Sequence, residues 1–157
     1  MLVSTSVLLS LVVSVLARPQ DGAPAAAAGS KKNVYLSSCT SRSLLDTDTA
    51  SAAVYYDGPA SSRTSPKDIG VVSEPARKWE GVSRRTTLDG GRFTSSIAAG
   101  AESLPKSQIA GTATLGTESF VCFVDGSSTF RFREGLLGLR ETNCKADYWC
   151  ASTNVGQ

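Results

Sequence analysis

The chain has 157 residues, with 16 Lys and Arg against 14 Asp and Glu, a formal net charge of +2, and no histidine. This near balance argues against a nucleic-acid partner, because phosphate binding usually shows as a strong basic excess or stripe. The lack of histidine excludes Ser-His-Asp and Cys-His catalytic sets, His-ligated zinc and the commonest general base near neutral pH. The glycines lack the spacing of phosphate-binding loops, and we expect no cofactor.

The first 17 residues have the features of a cleavable secretory signal peptide. Residues 7–16, VLLSLVVSVL, form an apolar run too short to cross a bilayer, which needs about 20 residues. Val15 and Ala17 are small residues at the positions that signal peptidase checks, which predicts cleavage after Ala17, although no Lys or Arg precedes the run. The alternative is a buried segment of a cytosolic domain. We expect a secreted, extracellular protein without a membrane span.

Residues 18–32 are rich in Ala, Gly and Pro, a composition that cannot bury apolar surface and predicts a disordered arm or pro-segment. The arm ends in Lys31-Lys32. This pair is either a dibasic processing site or a solvated charge pair before the first strand, and we favour the charge pair.

The folded domain is expected over residues 33–152, followed by a tail at 153–157. Residues 40–53 could hold a short helix at most, and 57–75, with three prolines, predict a long surface loop. Alternating apolar residues predict strands at 34–38, 52–56, around Trp79, and at 82–88, 92–99 and 108–115. Turn residues about every ten positions indicate a mainly β, single small sandwich or barrel-like domain.

Residues 118–133 predict a β-hairpin around Asp125-Gly126, since this dipeptide is the strongest short hairpin signal. Its expected core face carries Val121, Phe123, Phe130 and Phe132. The opposite face carries Phe120, Cys122, Val124, Arg131 and Arg133. That second face is half apolar, and we expect the segment disulfide-bonded to Cys122 to cover it.

Four cysteines in an exported chain predict a disulfide framework with three possible pairings. The short loop between Cys144 and Cys150 favours their pairing, which leaves Cys39 with Cys122. The alternative of Cys39 with Cys150 ties the two ends of the domain together. The spacing matches no zinc pattern.

A histidine-free hydrolase would need two facing carboxylates, as glycosidases have. The candidates are Asp46, Asp48, Asp57, Glu80, Glu118 and Asp125. The alternative is a structural role, as for Asp in turns. With neither histidine nor a catalytic motif, the sequence leans against an enzyme.

Aromatic and basic side chains are the candidate partner-binding residues. Tyr56, Trp79 and Trp149 could stack on sugar rings if exposed, whereas the alternative places Trp79 and Trp149 in the core. Arg131 and Arg133 share a strand face and could bind an anionic partner. The alternative is a solvated face paired with acidic neighbours.

The layout resembles that of small secreted fungal proteins of candidate-effector type. The matching features are the signal peptide, the arm ending in Lys31-Lys32, and the pattern Phe120-Val121-Cys122-Phe123, Asp125-Gly126, Cys144, Tyr148-Trp149-Cys150. The resemblance implies a non-enzymatic secreted role in interaction with a host or with competing microbes. We expect a monomer that binds an extracellular protein or glycan partner. Alternative functions are a cell-wall carbohydrate-binding module and a small carboxylate-based hydrolase.

Overall fold

The computed structural model describes residues 30–43, 46–61, 64–134 and 140–154. The expected signal peptide, the arm up to residue 29 and the last three residues of the tail lie outside these ranges. The strands are β1 (Asn33–Arg42), β2 (Thr47–Tyr56), β3 (Asp68–Ser73), β4 (Ser83–Leu88), β5 (Gly91–Ile97), β6 (Ile109–Leu115), β7 (Glu118–Val124), β8 (Thr129–Glu134) and β9 (Arg140–Ser152). The predicted mainly β class is confirmed. Across the described ranges no helix has the length and apolar character needed to cross a membrane.

One antiparallel sheet curls into a nearly closed barrel, in the order β3-β2-β1-β9-β7-β6-β5-β4. The two edge strands, β3 and β4, do not pair through their backbones, and side-chain-to-backbone hydrogen bonds hold them together. Thr86 Oγ1 donates to the Val71 carbonyl at 2.9 Å, and the Asp89 amide donates to Asp68 Oδ2 at 2.8 Å. A Cβ at Gly70 would lie 2.6 Å from the Thr86 side chain, so this position requires glycine for the strands to approach.

Strand β9 is the centre of the sheet, and the predicted hairpin between residues 118 and 133 is wrong. β9 pairs with β1 on one edge and with both β7 and β8, end to end, on the other. The chain between β7 and β8 stays beside β9, because the Asp125 amide donates to the Asp147 carbonyl and the Ala146 amide to the Ser128 carbonyl, at 2.9 and 2.8 Å. The hairpin partner of β8 is therefore β9.

Asp125 explains why the chain kinks here instead of reversing. Its buried carboxylate accepts hydrogen bonds from the backbone amides and the hydroxyls of both Ser127 and Ser128, at 2.7–2.9 Å. Burial alone would raise the pKa of Asp125, but these four bonds outweigh it and hold the pKa below its usual range. The Asp-Gly-Ser-Ser segment is thus a bulge fixed by a side chain.

Both faces of the sheet carry an apolar core cluster. Phe123, Phe130 and Phe132 share one of them, as predicted, but the face that lines the barrel interior is the opposite one. The barrel interior holds Phe120 and Cys122, which are fully buried, with Val124 packed against them. Phe123, Phe130 and Phe132 belong to the outer cluster, and Val121 is half-buried. The outer cluster also contains Tyr35, Val54, Tyr56, Ala146 and Trp149.

The disulfides join Cys39 to Cys144 and Cys122 to Cys150, so the predicted pairing, and its alternative, are wrong. In each pair the two residues face each other directly across neighbouring strands. Cys144 and Cys150 both lie on β9, where six residues of extended chain separate them by about 20 Å, far beyond the reach of a disulfide. The prediction that a separate, disulfide-bonded segment covers Cys122 is also wrong, because its bonded partner Cys150 lies on the neighbouring strand β9 of the same sheet.

A bulge at Asp147 places the two disulfides on opposite faces of the sheet. Leu36 pairs with Tyr148 and Ser37 with Ala146, which leaves Asp147 as an extra residue. One extra residue reverses the inside-outside alternation of a strand. Cys144 therefore lies in the outer cluster and Cys150 in the barrel interior, so β9 is fixed on both faces.

Two further local predictions differ from the structure. Residues 40–42 and 47–53 lie in β1 and β2 instead of a helix, and β3 lies inside the predicted 57–75 loop. Trp79 lies outside any strand, next to an isolated bridge between Glu80 and Ile97.

Candidate functional site

Segment 76–81, between β3 and β4, crosses one end of the barrel. The Ser51 hydroxyl donates to the Arg77 carbonyl at 2.7 Å and accepts from the Arg77 amide at 2.8 Å, while the Gly81 amide donates to the Ile97 carbonyl at 2.9 Å. These bonds fix the segment so that Trp79 inserts into the barrel interior. Beside it lies a cavity of about 450 Å³, which we call the end cleft. Its polar lining includes Ser38, Trp79, Glu80, Glu102, Asp147 and Tyr148.

The polar side chains of the end cleft are held by one another. The Tyr148 hydroxyl donates to the Glu80 carboxylate, and the Ser38 hydroxyl donates to Asp147 Oδ2 at 2.6 Å. Burial, followed by the bond to Glu80, raises the pKa of Tyr148, so its hydroxyl stays protonated. Burial also raises the pKa of Asp147, against the lowering effect of the Ser38 bond. The cleft therefore combines fixed acceptors with a fixed donor.

The indole N–H of Trp79 is the unsatisfied group of this cleft. Trp79 is 2% exposed, and its Nε1 has no hydrogen-bond partner within the described chain. It faces the Asp147 carboxyl without reaching hydrogen-bonding geometry, and this contact opposes in part the rise in the pKa of Asp147 that burial causes. A buried donor of this kind is rare and needs an explanation.

The three aromatic residues named as candidates for partner binding are buried, which confirms the alternative that places Trp79 and Trp149 in the core. Tyr56 and Trp149 are each 4% exposed and lie in the outer cluster. Trp149 stacks on Phe123, with ring centroids 5.1 Å apart. Of the three, Trp79 lines the end cleft.

Among the six predicted carboxylates, Glu80 lines the end cleft. The other five have structural partners elsewhere: Asp46 with the Thr47 amide, Asp48 with Arg140, Asp57 with Lys67, Glu118 with Lys32, and Asp125 with Ser127 and Ser128. The sequence analysis missed Asp147 and Glu102. Asp147 has a detectable signal, a charged residue inside the apolar run Ala146 to Ala151.

Arg131 and Arg133 are exposed on β8. Arg131 Nε lies 3.0 Å from Asn143 Oδ1 and 3.5 Å from Glu141 Oε1. β8 pairs with β9 alone within the described part of the chain, so its other edge is free. We call this feature the β8 edge.

The dibasic pair is partly built into the fold. Lys32 Nζ lies 2.6 Å from Glu118 Oε2, and the Lys32 carbonyl accepts from the Ser152 amide at 3.0 Å. Asn33 and Val34, which follow it, are fully buried in β1.

Folded protein is therefore expected to resist a Lys-Lys-specific endoprotease at the Lys32–Asn33 bond, because the enzyme must bind extended chain on both sides of that bond. Mass spectrometry after digestion should show this bond intact in native protein and cleaved in reduced, denatured protein. Equally fast cleavage of both samples would contradict the prediction.

No group of three or more Cys, Asp or Glu side chains in the described ranges is placed to hold a metal ion. The chain matches no protein-family model, no curated protein and no solved structure. Functional proposals for it therefore start from the end cleft and the β8 edge.

Proposed function

We propose that this chain is a secreted, non-enzymatic interaction protein of effector type that binds an extracellular partner through the β8 edge. The observation that carries the proposal is a strand with one edge unpaired and two exposed arginines on it. Two disulfides support an oxidising, extracellular setting, since such bonds persist outside the cytosol.

The β8 edge offers a row of backbone donors and acceptors. Its register with β9 runs from Thr129, opposite Lys145, to Glu134, opposite Arg140, and uses one edge of the strand. An extended segment of another protein can add to the opposite edge and gain main-chain hydrogen bonds. Unpaired edges of this kind are usually protected by charge, and here the charges are arginines.

The side chains of β8 define the partner's chemistry. Arg131 and Arg133 lie on one face, and Phe130 and Phe132 lie on the other, within the outer cluster. A strand added at the edge places its residues beside these in the same alternation. The matching partner is therefore an extended segment in which acidic residues alternate with apolar ones.

The edge is also rigid, which favours binding over local rearrangement. β8 is paired along its length with β9, and β9 is bonded to β1 by the Cys39–Cys144 disulfide at the level of Phe130. A preformed edge loses little conformational freedom on binding, so more of the contact energy contributes to affinity.

A peptide of alternating Glu and Val is the direct probe of this proposal. We expect Arg131→Glu/Arg133→Glu to weaken its binding about tenfold or more, because two attractive pairs become repulsive. Fluorescence anisotropy of a labelled peptide measures the affinity. The double variant Arg85→Glu/Arg92→Glu makes the same charge change on β4 and β5 and should bind normally.

Two peptide controls separate strand addition from general charge attraction. The same peptide with its strand-facing amides N-methylated cannot pair with the edge, and a Lys-Val peptide carries the wrong charge. Binding of either control as tight as that of the Glu-Val peptide would contradict the proposal.

A carboxylate-based hydrolase is the second candidate, favoured by the presence of Glu80 and Asp147 in one cleft. Both carboxyls are already held by protein hydroxyls, from Tyr148 and Ser38. Carboxyls that are already hydrogen-bonded in this way are better suited to recognise a ligand than to act as acid and base, so we rank hydrolysis below binding. A stacking-type carbohydrate module is not proposed, because the rings that suggested it are buried.

A further inference from the structure

The end cleft presents two demands that a ligand must meet together. The Trp79 N–H is a buried donor that faces the Asp147 carboxyl outside hydrogen-bonding geometry, so a ligand atom that accepts a hydrogen bond would give it a partner. The carboxyls of Glu80 and Asp147 line the same cavity. Each already accepts one hydrogen bond, from Tyr148 and Ser38, and has a further oxygen lone pair for a ligand group that donates. These demands come from side chains on two different parts of the fold, segment 76–81 and the β9 bulge.

A simple ion can meet only one of these two requirements, either as an acceptor for the Trp79 N–H or as a partner for the carboxyls. A cation pairs with the carboxylates but offers nothing to the indole N–H. An anion accepts from the N–H but has no hydrogen to donate to the carboxylates beside it. A hydroxyl group both donates and accepts, so adjacent hydroxyls on one molecule satisfy Trp79, Glu80 and Asp147 at once.

The charges around the cleft also favour a neutral ligand. Three acidic and three basic residues line it: Glu80, Glu102 and Asp147, with Arg77, Lys78 and Lys145. Their formal charges cancel, so the cleft as a whole does not select a net charge. Its volume of about 450 Å³ lies within the usual range of small-molecule sites, roughly 300–1,000 Å³.

We propose that the end cleft binds a neutral, hydroxyl-rich ligand, namely a sugar unit, through hydrogen bonds to Trp79 Nε1–H and to the carboxyls of Glu80 and Asp147. Recognition is by polar contacts inside the cleft, not by ring stacking on a surface. The site is separate from the β8 edge, so each can fail without the other.

The indole N–H resonances of ¹⁵N-labelled protein test this directly. The chain has two tryptophans, and the variant Trp149→Phe assigns their signals. We expect titration with glucose, mannose, N-acetylglucosamine and their disaccharides to shift the Trp79 signal saturably for at least one of them. The Trp149 signal, from the outer cluster, should stay in place. A disaccharide that binds more tightly than its monosaccharide would indicate an oligosaccharide end as the natural source.

Isosteric variants then test the carboxyls. Asp147→Asn and Glu80→Gln should each weaken sugar binding about tenfold or more, because each loses a charged hydrogen-bond acceptor. Asp48→Asn removes a carboxylate that pairs with Arg140 and is not part of the cleft lining, so this variant should bind normally. The same spectra report whether each variant is folded.

Putrescine and acetate serve as the cation and anion probes, and neither should shift the Trp79 signal. The proposal is overturned if no sugar shifts that signal up to the solubility limit, or if putrescine or acetate shifts it and no sugar does. Unchanged sugar affinity in folded Asp147→Asn and Glu80→Gln would overturn it as well.

Discussion

Replacing Cys39 and Cys144 together by alanine is expected to lower the free energy of unfolding by about 5 kcal/mol. The two residues are 105 positions apart, so their bond removes a large share of the freedom of the unfolded chain. Since domains of this size are stable by only roughly 5–15 kcal/mol, this one loss accounts for a third of the stability or more. Urea denaturation of oxidised wild type and variant, followed by circular dichroism, measures the difference.

The second disulfide provides the matched comparison. Cys122 and Cys150 are 28 positions apart, and the same chain-entropy relation predicts a loss of about 3.6 kcal/mol for their double replacement. Both variants replace one cross-strand pair on β9, so the difference reports mainly the length of the closed loop. A larger loss for Cys122→Ala/Cys150→Ala would contradict the prediction, and would mean that packing in the barrel interior outweighs chain entropy.

The sequence was sufficient for the β class but not for the pairing of its strands. The alternation of apolar and polar residues depends only on the local sequence, so it predicted most strands, including the segments that form β6 and β7. The Asp125-Gly126 signal failed because two serines follow it. Ser127 and Ser128 saturate the Asp125 carboxylate, and the chain kinks along β9 without reversing. A turn dipeptide therefore predicts a hairpin only when its neighbours leave the backbone free to reverse.

The disulfide pairing could not be derived from spacing for a topological reason. Loop closure favours the short separation between Cys144 and Cys150, but β9 is a single extended strand that holds these residues apart. β9 lies between β1 and β7, which come from distant parts of the sequence. The correct partners become evident once that strand order is known.

The candidate site was partly predictable. Trp79, Glu80, Arg131 and Arg133 were singled out by residue type, but their grouping into two surfaces required the fold. Asp147 joins the cleft because the β9 bulge sets it outside the regular alternation, beside a segment some seventy residues earlier in the chain. Bulges of this kind occur next to functional sites in many β proteins, which makes the residue at the bulge a natural candidate.

Trp79→Ala is expected to lower the free energy of unfolding by about 3–5 kcal/mol, because it leaves a large cavity at the end of the barrel interior. Trp79→Phe should lower the free energy of unfolding much less. A phenyl ring keeps most of the packing, and the change removes a buried N–H whose unpaired state costs about 1–3 kcal/mol. Thermal and urea denaturation of both variants at one pH measure the two losses.

The matched control for this pair is Trp149→Phe. Trp149 is as deeply buried and stacks on Phe123, but its indole nitrogen does not belong to the buried unpaired groups of the described chain. Its replacement therefore loses packing without that compensating gain, and should cost more than Trp79→Phe. If Trp79→Phe is the more costly change, the Trp79 N–H must already have an acceptor, such as a bound water. The donor in the end cleft would then be satisfied before any ligand arrives, and a sugar hydroxyl would have to displace that acceptor to bind.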